Sequence, residues 1–413
     1  MLCWGGYVYP GHEGRGAKLG DGAAATSLPV HPALSPCRYP FPLATMPTQR
    51  QIQAAVLIQE VGQPAILVHH HPIPQPGPGQ VQVQVRVTHY PCPALPLRTR
   101  HPLTLPQVAA LNPHDQKIRD QGLLIRSNPH FLPWIPGSDV VGTVAALGPG
   151  TTESSSQFKV GDRIMFFAAS RSQAGLQQYA LADLGTTCCI VPDTMSDDDA
   201  ATLPTNLNSV FVAMFVMLGI RAPWMAEGEV PETLLVVGGG SNCGRLAVQL
   251  ARLAGVGRVV VVGGREEELR GLGAAEVVDR HLGEEEVVRR VRETVGDELR
   301  FAIDTVNGPD GLGVGFGALS RSKKGKLARL VPRGVIGEDV RKSHELFDLV
   351  GGGKARDPLC LAMWERLPGW IAKGKIKPAG YYVAGGLDAA TVNEALDRYR
   401  DGNGIGQPHI QVG

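Results

Sequence analysis

The chain has 413 residues, enough for two or three domains of ordinary size, each with its own core. Its 40 basic and 39 acidic residues nearly cancel, so charge gives no argument for nucleic acid or an anionic membrane as partner and directs attention to a small-molecule ligand. The 7 cysteines are scattered without a C-x-x-C pair, which argues against a disulfide framework and a structural zinc lobe. No apolar run approaches the roughly 20 residues of a membrane span, and the N-terminus lacks the charged-then-apolar order of a secretory signal. A cytoplasmic protein is expected.

Residues 1–45 mix Gly, Pro, Trp and Tyr without helical or strand period, and ordered text begins after Met46. Met46 is therefore the expected biological start, against the alternative of a disordered tail. Gln53–Ile58 reads as a strand, and Val81–Val87 alternates strictly, the pattern of a half-buried strand. Between them His69, His70 and His71 precede Pro72 and a proline-glycine turn, so a solvated loop is expected there rather than a metal site. Residues 88–108 carry five prolines where strand should run into Ala109-Ala-Leu-Asn-Pro113. A retained intron explains this insertion, a valine codon supplying the donor GT and Gln107 the acceptor CAG; a genuine proline-rich loop is the competing reading.

A series of short motifs follows: Asn112-Pro-His-Asp-Gln-Lys117, Pro136-Gly-Ser-Asp-Val-Val-Gly142-Thr-Val144, Val160-Gly-Asp-Arg-Ile164 and Gly175-Leu-Gln-Gln-Tyr-Ala180. Farther on, Leu234–Val237 reads as a buried parallel strand, Gly238–Gly244 as a tight turn, and Leu246, Ala247, Leu250 and Leu253 recur at helical spacing. The dinucleotide pattern G-x-G-x-x-G is met as Gly239, Ser241 and Gly244, with serine in the middle. Small residues let the backbone approach a pyrophosphate, whose charge meets the positive end of the helix dipole. Gly239, Gly240, Ser241, Asn242, Cys243 and Gly244 are the expected cofactor contacts, Cys243 through its backbone N–H rather than as a catalytic thiol. The competing reading is that these glycines only make turns. Three further strands at Arg258–Val262, Glu276–Asp279 and Phe301–Asp304 raise the dinucleotide reading.

Charge selects the cofactor. An NAD site presents a carboxylate at the end of the second strand, whereas this chain has Gly263-Gly264-Arg265, with Glu266 just beyond. Arg265 can pair with a 2′-phosphate and Arg280 can add a second donor, so NADP is expected. Glu266, Glu267 and Glu268 read as a solvated first helical turn.

These motifs, in this order and continued by Leu272–Asp279 and Gly386–Leu396, resemble the medium-chain dehydrogenase/reductase superfamily. The resemblance covers nearly all of residues 51–413 outside the insertion. It implies an α/β protein, a Rossmann doubly wound parallel sheet (201–374) set into a chaperonin-10-like β-barrel (46–200 and 375–413), with the active site in the cleft between them. It also implies cofactor contacts at Asn112 and at Ser209, the latter near the nicotinamide on a connecting helix. Zinc-dependent members place a cysteine where this chain has Pro113 or His114 and a histidine where it has Ser138, so no catalytic zinc is expected. Lys117, where many zinc-free quinone oxidoreductases carry tyrosine, makes the chain similar to the trans-acting enoyl reductases that serve iterative polyketide synthases. Lys117 is the expected catalytic residue, against the reading of a surface lysine. The expected reaction is NADPH-dependent reduction of an activated C=C on a small-molecule or carrier-bound enoyl substrate, with a polyketide synthase as partner. A zinc-free quinone or enone oxidoreductase and a non-catalytic NADPH-binding protein are the alternatives, and the resemblance allows a monomer or a homodimer.

Overall fold

The computed structural model describes residues 52–85, 108–152, 154, 156–306, 313–330, 343–349, 354–403 and 406–412, all within the unit Pro47–Gly413. The leader before Met46 and residues 88–107 of the proline-rich insertion lie outside the described residues.

β1 (Ile52–Leu57) and β2 (Ile66–Pro72) pair as an antiparallel hairpin. His69, His70 and His71 therefore stand in a strand and not in the loop that the prolines after them suggest. His71 lies opposite Gln53 in the ladder, and backbone pairing outweighs the local turn signal. The next strands are β3 (Gln80–Gln84), β4 (Val108–Ala110), β5 (Asp139–Leu147), β6 (Arg163–Phe167), β7 (Tyr179–Asp183) and β8 (Cys188–Ile190). They belong to an eight-stranded sheet completed by two strands from the end of the chain. Period-2 alternation holds in β3 and just past it, where Val81, Val83 and Val85 are each 0% exposed while the glutamines between them reach the other face.

Helix α1 (Pro113–Gln121) starts at Asn112, whose N–H donates to the Asp115 carboxylate at 2.8 Å. Gly122 closes it in the left-handed region at φ 68. Helices α2 (Asp197–Ala201) and α3 (Pro204–Phe211) carry the chain to the second sheet, α3 running on into a π-helical turn at Val212–Met217. The run Asp197–Met217 is long and apolar enough to span a bilayer by length and composition, contrary to the expectation from sequence. Its most apolar window is 78% buried within the protein, which makes it a core helix.

The second sheet holds β9 (Thr233–Val237), β10 (Arg258–Val262), β11 (Glu276–Val278), β12 (Phe301–Asp304), β13 (Lys326–Leu330) and β14 (Glu345–Leu349), all parallel in the order β11-β10-β9-β12-β13-β14. The four strands expected here become six, because β13 and β14 carry their own buried ion pair. Arg329 is 0% exposed and meets Asp348 at 2.8 and 2.9 Å, so neither strand reads as an apolar run. Residues Leu234 and Val236 face one side, against α4 (Asn242–Ala254) and a later helix; Leu235 and Val237 face the other, with α6 (Glu284–Val295) after α5 (Glu266–Leu272). A sheet covered on both faces is doubly wound, with α7 (Gly313–Gly317) between β12 and β13. After α8 (Pro358–Ala372), which buries Trp364 and Leu367 against this sheet, β15 (Tyr381–Gly386) and β16 (Gln407–Gln411) return to the first sheet, with α9 (Ala389–Arg400) between them. Arg119 of α1 clamps α9 through Asp397 at 2.5 Å.

One apolar core runs through both sheets. Val108, Val141 and Met165 of the first pack in the same cluster as Leu207, Val210 and Phe211 of α3 and Leu234 and Ile303 of the second. Phe211 stacks on Trp224 at 5.8 Å and 2°.

Candidate active site

The strand order reverses at β9, whose neighbours β10 and β12 lie on opposite sides. In an open parallel sheet the carboxyl ends of the strands at such a switch point form a crevice that receives a ligand. The glycine-rich turn follows β9 at that point. A Cβ at Gly239 would stand 2.2 Å from Val261 Cγ1, and one at Gly244 would stand 2.2 Å from the Gly238 carbonyl oxygen. Only glycine permits this packing of turn on strand. Ser241 caps α4 by accepting from the Gly244 N–H at 2.9 Å, and its hydroxyl meets Thr305 Oγ1, at the end of β12, at 2.8 Å. Asn242 and Cys243 follow in the first turn of α4, and their N–H groups have no acceptor among the described residues. Two N–H groups at the positive end of a 13-residue helix, behind a glycine-rich turn, fit a dinucleotide pyrophosphate.

The second strand ends beside this turn. Gly263 and Gly264 follow β10, and the Arg280 side chain lies over Gly263, its Cδ 3.1 Å from where a Cβ would be. Arg265 is 81% exposed and pairs with Glu268 at 2.9 Å. Glu268 is not simply the solvated first-turn residue that sequence suggests. Its carboxylate also takes Arg245, at 2.6 Å from Nε, and Arg245 in turn donates to the Gly240 carbonyl at 2.8 Å. Burial pushes the Glu268 carboxyl up, but the bonds and charges of Arg245 and Arg265 outweigh it and hold the group below the usual carboxylate range. Sequence reasoning missed Arg245; its place one residue after Gly244, at the helix start, was the available signal.

On the other side of the crevice lies a buried polar cluster. Asp139 of β5 is 0% exposed; its Oδ2 accepts from Asn112 Nδ2 and from Gln407 Nε2, each at 2.7 Å, and its Oδ1 accepts from the Thr205 N–H of α3. Burial raises its pKa, opposed by these hydrogen bonds. Asn112 is thus turned inward, 3% exposed, with its amide engaged by Asp139 and Gln407. Cys243 directs its Sγ to Asn206 Oδ1 at 3.3 Å, and burial, with the charge of Asp139, pushes the thiol up to about 12. Such a thiol is no nucleophile. Ser209, half-buried on α3, lies one turn beyond Asn206, while Lys117 is half-buried on α1. Gln407 and Asn206 were invisible as site residues in the sequence.

His114 Nε2 and Ser138 Oγ lie 2.8 Å apart, so at the positions where the resemblance would put zinc ligands, Pro113 or His114 and Ser138, the chain offers an imidazole and a hydroxyl committed to each other. That donor set does not fit a tetrahedral zinc site. A cavity lined by Glu232, Arg258, Arg300 and Lys324 opens at the opposite, amino-terminal edge of the parallel sheet, away from the glycine turn.

The alcohol dehydrogenase GroES-like domain model matches residues 106–193. The whole architecture superposes on CurK enoyl reductase with a TM-score of 0.67 at 17% identity, covering 87% of this chain and 99% of that one. A trans-enoyl reductase of Aspergillus japonicus, himH, is 29% identical over 309 residues, 71% of this chain and 84% of its own. The chain resembles the medium-chain dehydrogenase/reductase superfamily. A mycobacterial protein solved as its NADPH complex shares the fold, aligning with a TM-score of 0.62 at 20% identity over 87% of this chain and 100% of its own. A chloroplastic quinone-oxidoreductase homologue of Spinacia oleracea is 30% identical over 174 residues, 42% of this chain and 50% of its own.

Proposed function

We propose that this chain is a zinc-independent, NADPH-dependent enoyl reductase of the medium-chain dehydrogenase/reductase type that acts in trans on an enoyl thioester carried by a polyketide synthase, in secondary metabolism. The observation that carries this reading is the likeness to the Aspergillus japonicus trans-enoyl reductase across 84% of that protein, which spans both sheets and the crevice between them. NADPH, when bound, supplies the hydride. The Asn242 and Cys243 N–H groups would hold its pyrophosphate, and Arg265 and Arg280 would meet its 2′-phosphate. The β-carbon of the substrate would take the hydride in its new C–H bond while the C=C π electrons shift onto the carbonyl oxygen as an enolate, which would return to the carbonyl as the α-carbon takes a proton from solvent or a side chain. With no metal to take the developing charge, a hydrogen-bond donor must meet that oxygen, and Lys117 is the cation assigned to it.

The test is NADPH oxidation by the full chain with an enoyl thioester, a quinone and a simple ketone offered in parallel. Turnover with the thioester supports the reading. Turnover with the quinone alone would move the chain to the quinone oxidoreductase reading that the Spinacia oleracea relative favours.

A further inference from the structure

The polar cluster under the crevice is built from elements that sequence keeps far apart, and it is directional. Each group that bonds Asp139 is an N–H donor, so its oxygens act as acceptors, and Oδ2 takes Gln407 Nε2 at 2.7 Å. That contact fixes which end of the Gln407 amide faces the first sheet. Gln407 Oε1 is thereby turned the other way, where it accepts from Asn206 Nδ2 and from Asn242 Nδ2, each at 3.2 Å. Nε2 also donates to Asn112 Oδ1 at 3.2 Å, so the hydrogen-bonding capacity of a side chain only 2% exposed is fully used. Asn242 is the first residue of α4, and its Nδ2 further donates to the Gly380 carbonyl at 3.1 Å. Its own N–H is one of the two that face the pyrophosphate position.

We propose that Gln407 is a positioning residue that sets the nucleotide-binding turn relative to the first sheet, held by Asp139 on one side and holding Asn242 on the other. This rests on the reading of the glycine turn as the cofactor cradle. The cluster serves binding as well as folding because its last member is a cradle residue: a shift of the Asn242 side chain moves the N–H two bonds from its Cβ. Position 139 needs an acceptor on both oxygens, since an amide there would set its N–H₂ group either against the donors of Asn112 and Gln407 or against the Thr205 N–H.

The experiment measures the dissociation constants of NADPH and NADH by fluorescence titration of the full chain, together with the melting temperature without cofactor. Gln407→Leu and Asn242→Ala are each expected to weaken the preferred cofactor about tenfold, the effect of losing the one Gln407–Asn242 contact that both variants remove. The double variant is expected to be no weaker than the worse single one, because the two residues act through one contact. Gln407→Glu sets a second carboxyl against Asp139, so the pair must share a proton; its cofactor affinity should recover as pH falls and be lost as pH rises, a signature that packing alone does not produce. Should Gln407→Leu fail to fold, Asn242→Ala, at a half-buried position, carries the test. A lowered melting temperature with unchanged cofactor affinity in Asn242→Ala, or full additivity in the double variant, overturns the proposal. Wild-type chain that binds neither cofactor overturns both this proposal and the cradle reading; normal cofactor binding without enoyl turnover counts against the enoyl reductase reading alone.

Discussion

Replacing Arg265 with alanine should change which cofactor the enzyme prefers while leaving the pyrophosphate cradle intact. The Arg265 side chain is 81% exposed and held by Glu268, through Nη2 at 2.9 Å and Nε at 3.1 Å, on a carboxylate that already carries Arg245 at 2.6 Å. Turning toward a 2′-phosphate forfeits an exposed ion pair, roughly 0.2–1 kcal/mol. In return Arg265 makes charge-assisted hydrogen bonds to a dianion, roughly 1.5–3 kcal/mol. The difference, about 1–2 kcal/mol, corresponds to an NADPH affinity some 5- to 30-fold weaker in the variant. NADH has no phosphate there, so its affinity should stay within about twofold, and the NADPH preference of the wild type should shrink as ionic strength rises. Calorimetric titration of wild type and variant with both cofactors measures the two constants directly. Equal losses for NADPH and NADH, or an unchanged ratio, would refute the assignment of Arg265 to the 2′-phosphate.

Other perturbations test the rest of the crevice. Gly244→Ala sets a methyl group 2.2 Å from the Gly238 carbonyl oxygen, so the turn must open; cofactor binding should be lost at concentrations that saturate the wild type, and normal affinity would contradict the close packing. Lys117→Ala should lower kcat about 10²-fold with little change in NADPH affinity if the ammonium group meets the enolate oxygen, and unchanged turnover would remove Lys117 from the site. With its thiol pushed up to about 12, Cys243 is thiolate in only about one molecule in 10⁴ near pH 8, so iodoacetamide should leave it unmodified in the native protein; peptide mapping that finds rapid alkylation of Cys243 would show the sulfur to be more accessible than described.

The parts of this fold that sequence revealed are those where one residue type repeats on one period. The valines of β3, the run Arg258–Val262 and the glycine turn announce themselves because each needs only its neighbours to be interpreted. The parts it hid depend on a partner elsewhere. β13 reads as Lys-Leu-Ala-Arg-Leu, and its buried arginine makes sense only beside Asp348 on β14. β2 is a strand because β1 pairs with it, whatever its histidines and prolines prefer. In the candidate site, spacing made legible that Gly239, Ser241 and Gly244 form a turn between strand and helix, and that Arg265 follows a strand. Gln407 gave no signal, because its meaning lies in contacts with Asn112, Asp139, Asn206 and Asn242, two of them nearly three hundred positions away. Glu268 was misread for the same reason: helix-start acids are ordinarily solvated, and only the fold brings Arg245 beneath it.

The shared core between the sheets has a bearing on how such a protein can be taken apart. Val108, Val141 and Met165 contribute to the same packed interior as Phe211, Leu234 and Ile303, with the Asp197–Met217 run threaded through it. A cut between the parts built on the two sheets would leave each fragment with a raw apolar face where the other had been. The lobes are therefore not interchangeable cassettes: a chimera that exchanges one of them must carry the whole connecting helix and its buried neighbours along with it, and heating the intact unit should melt both lobes in a single cooperative step.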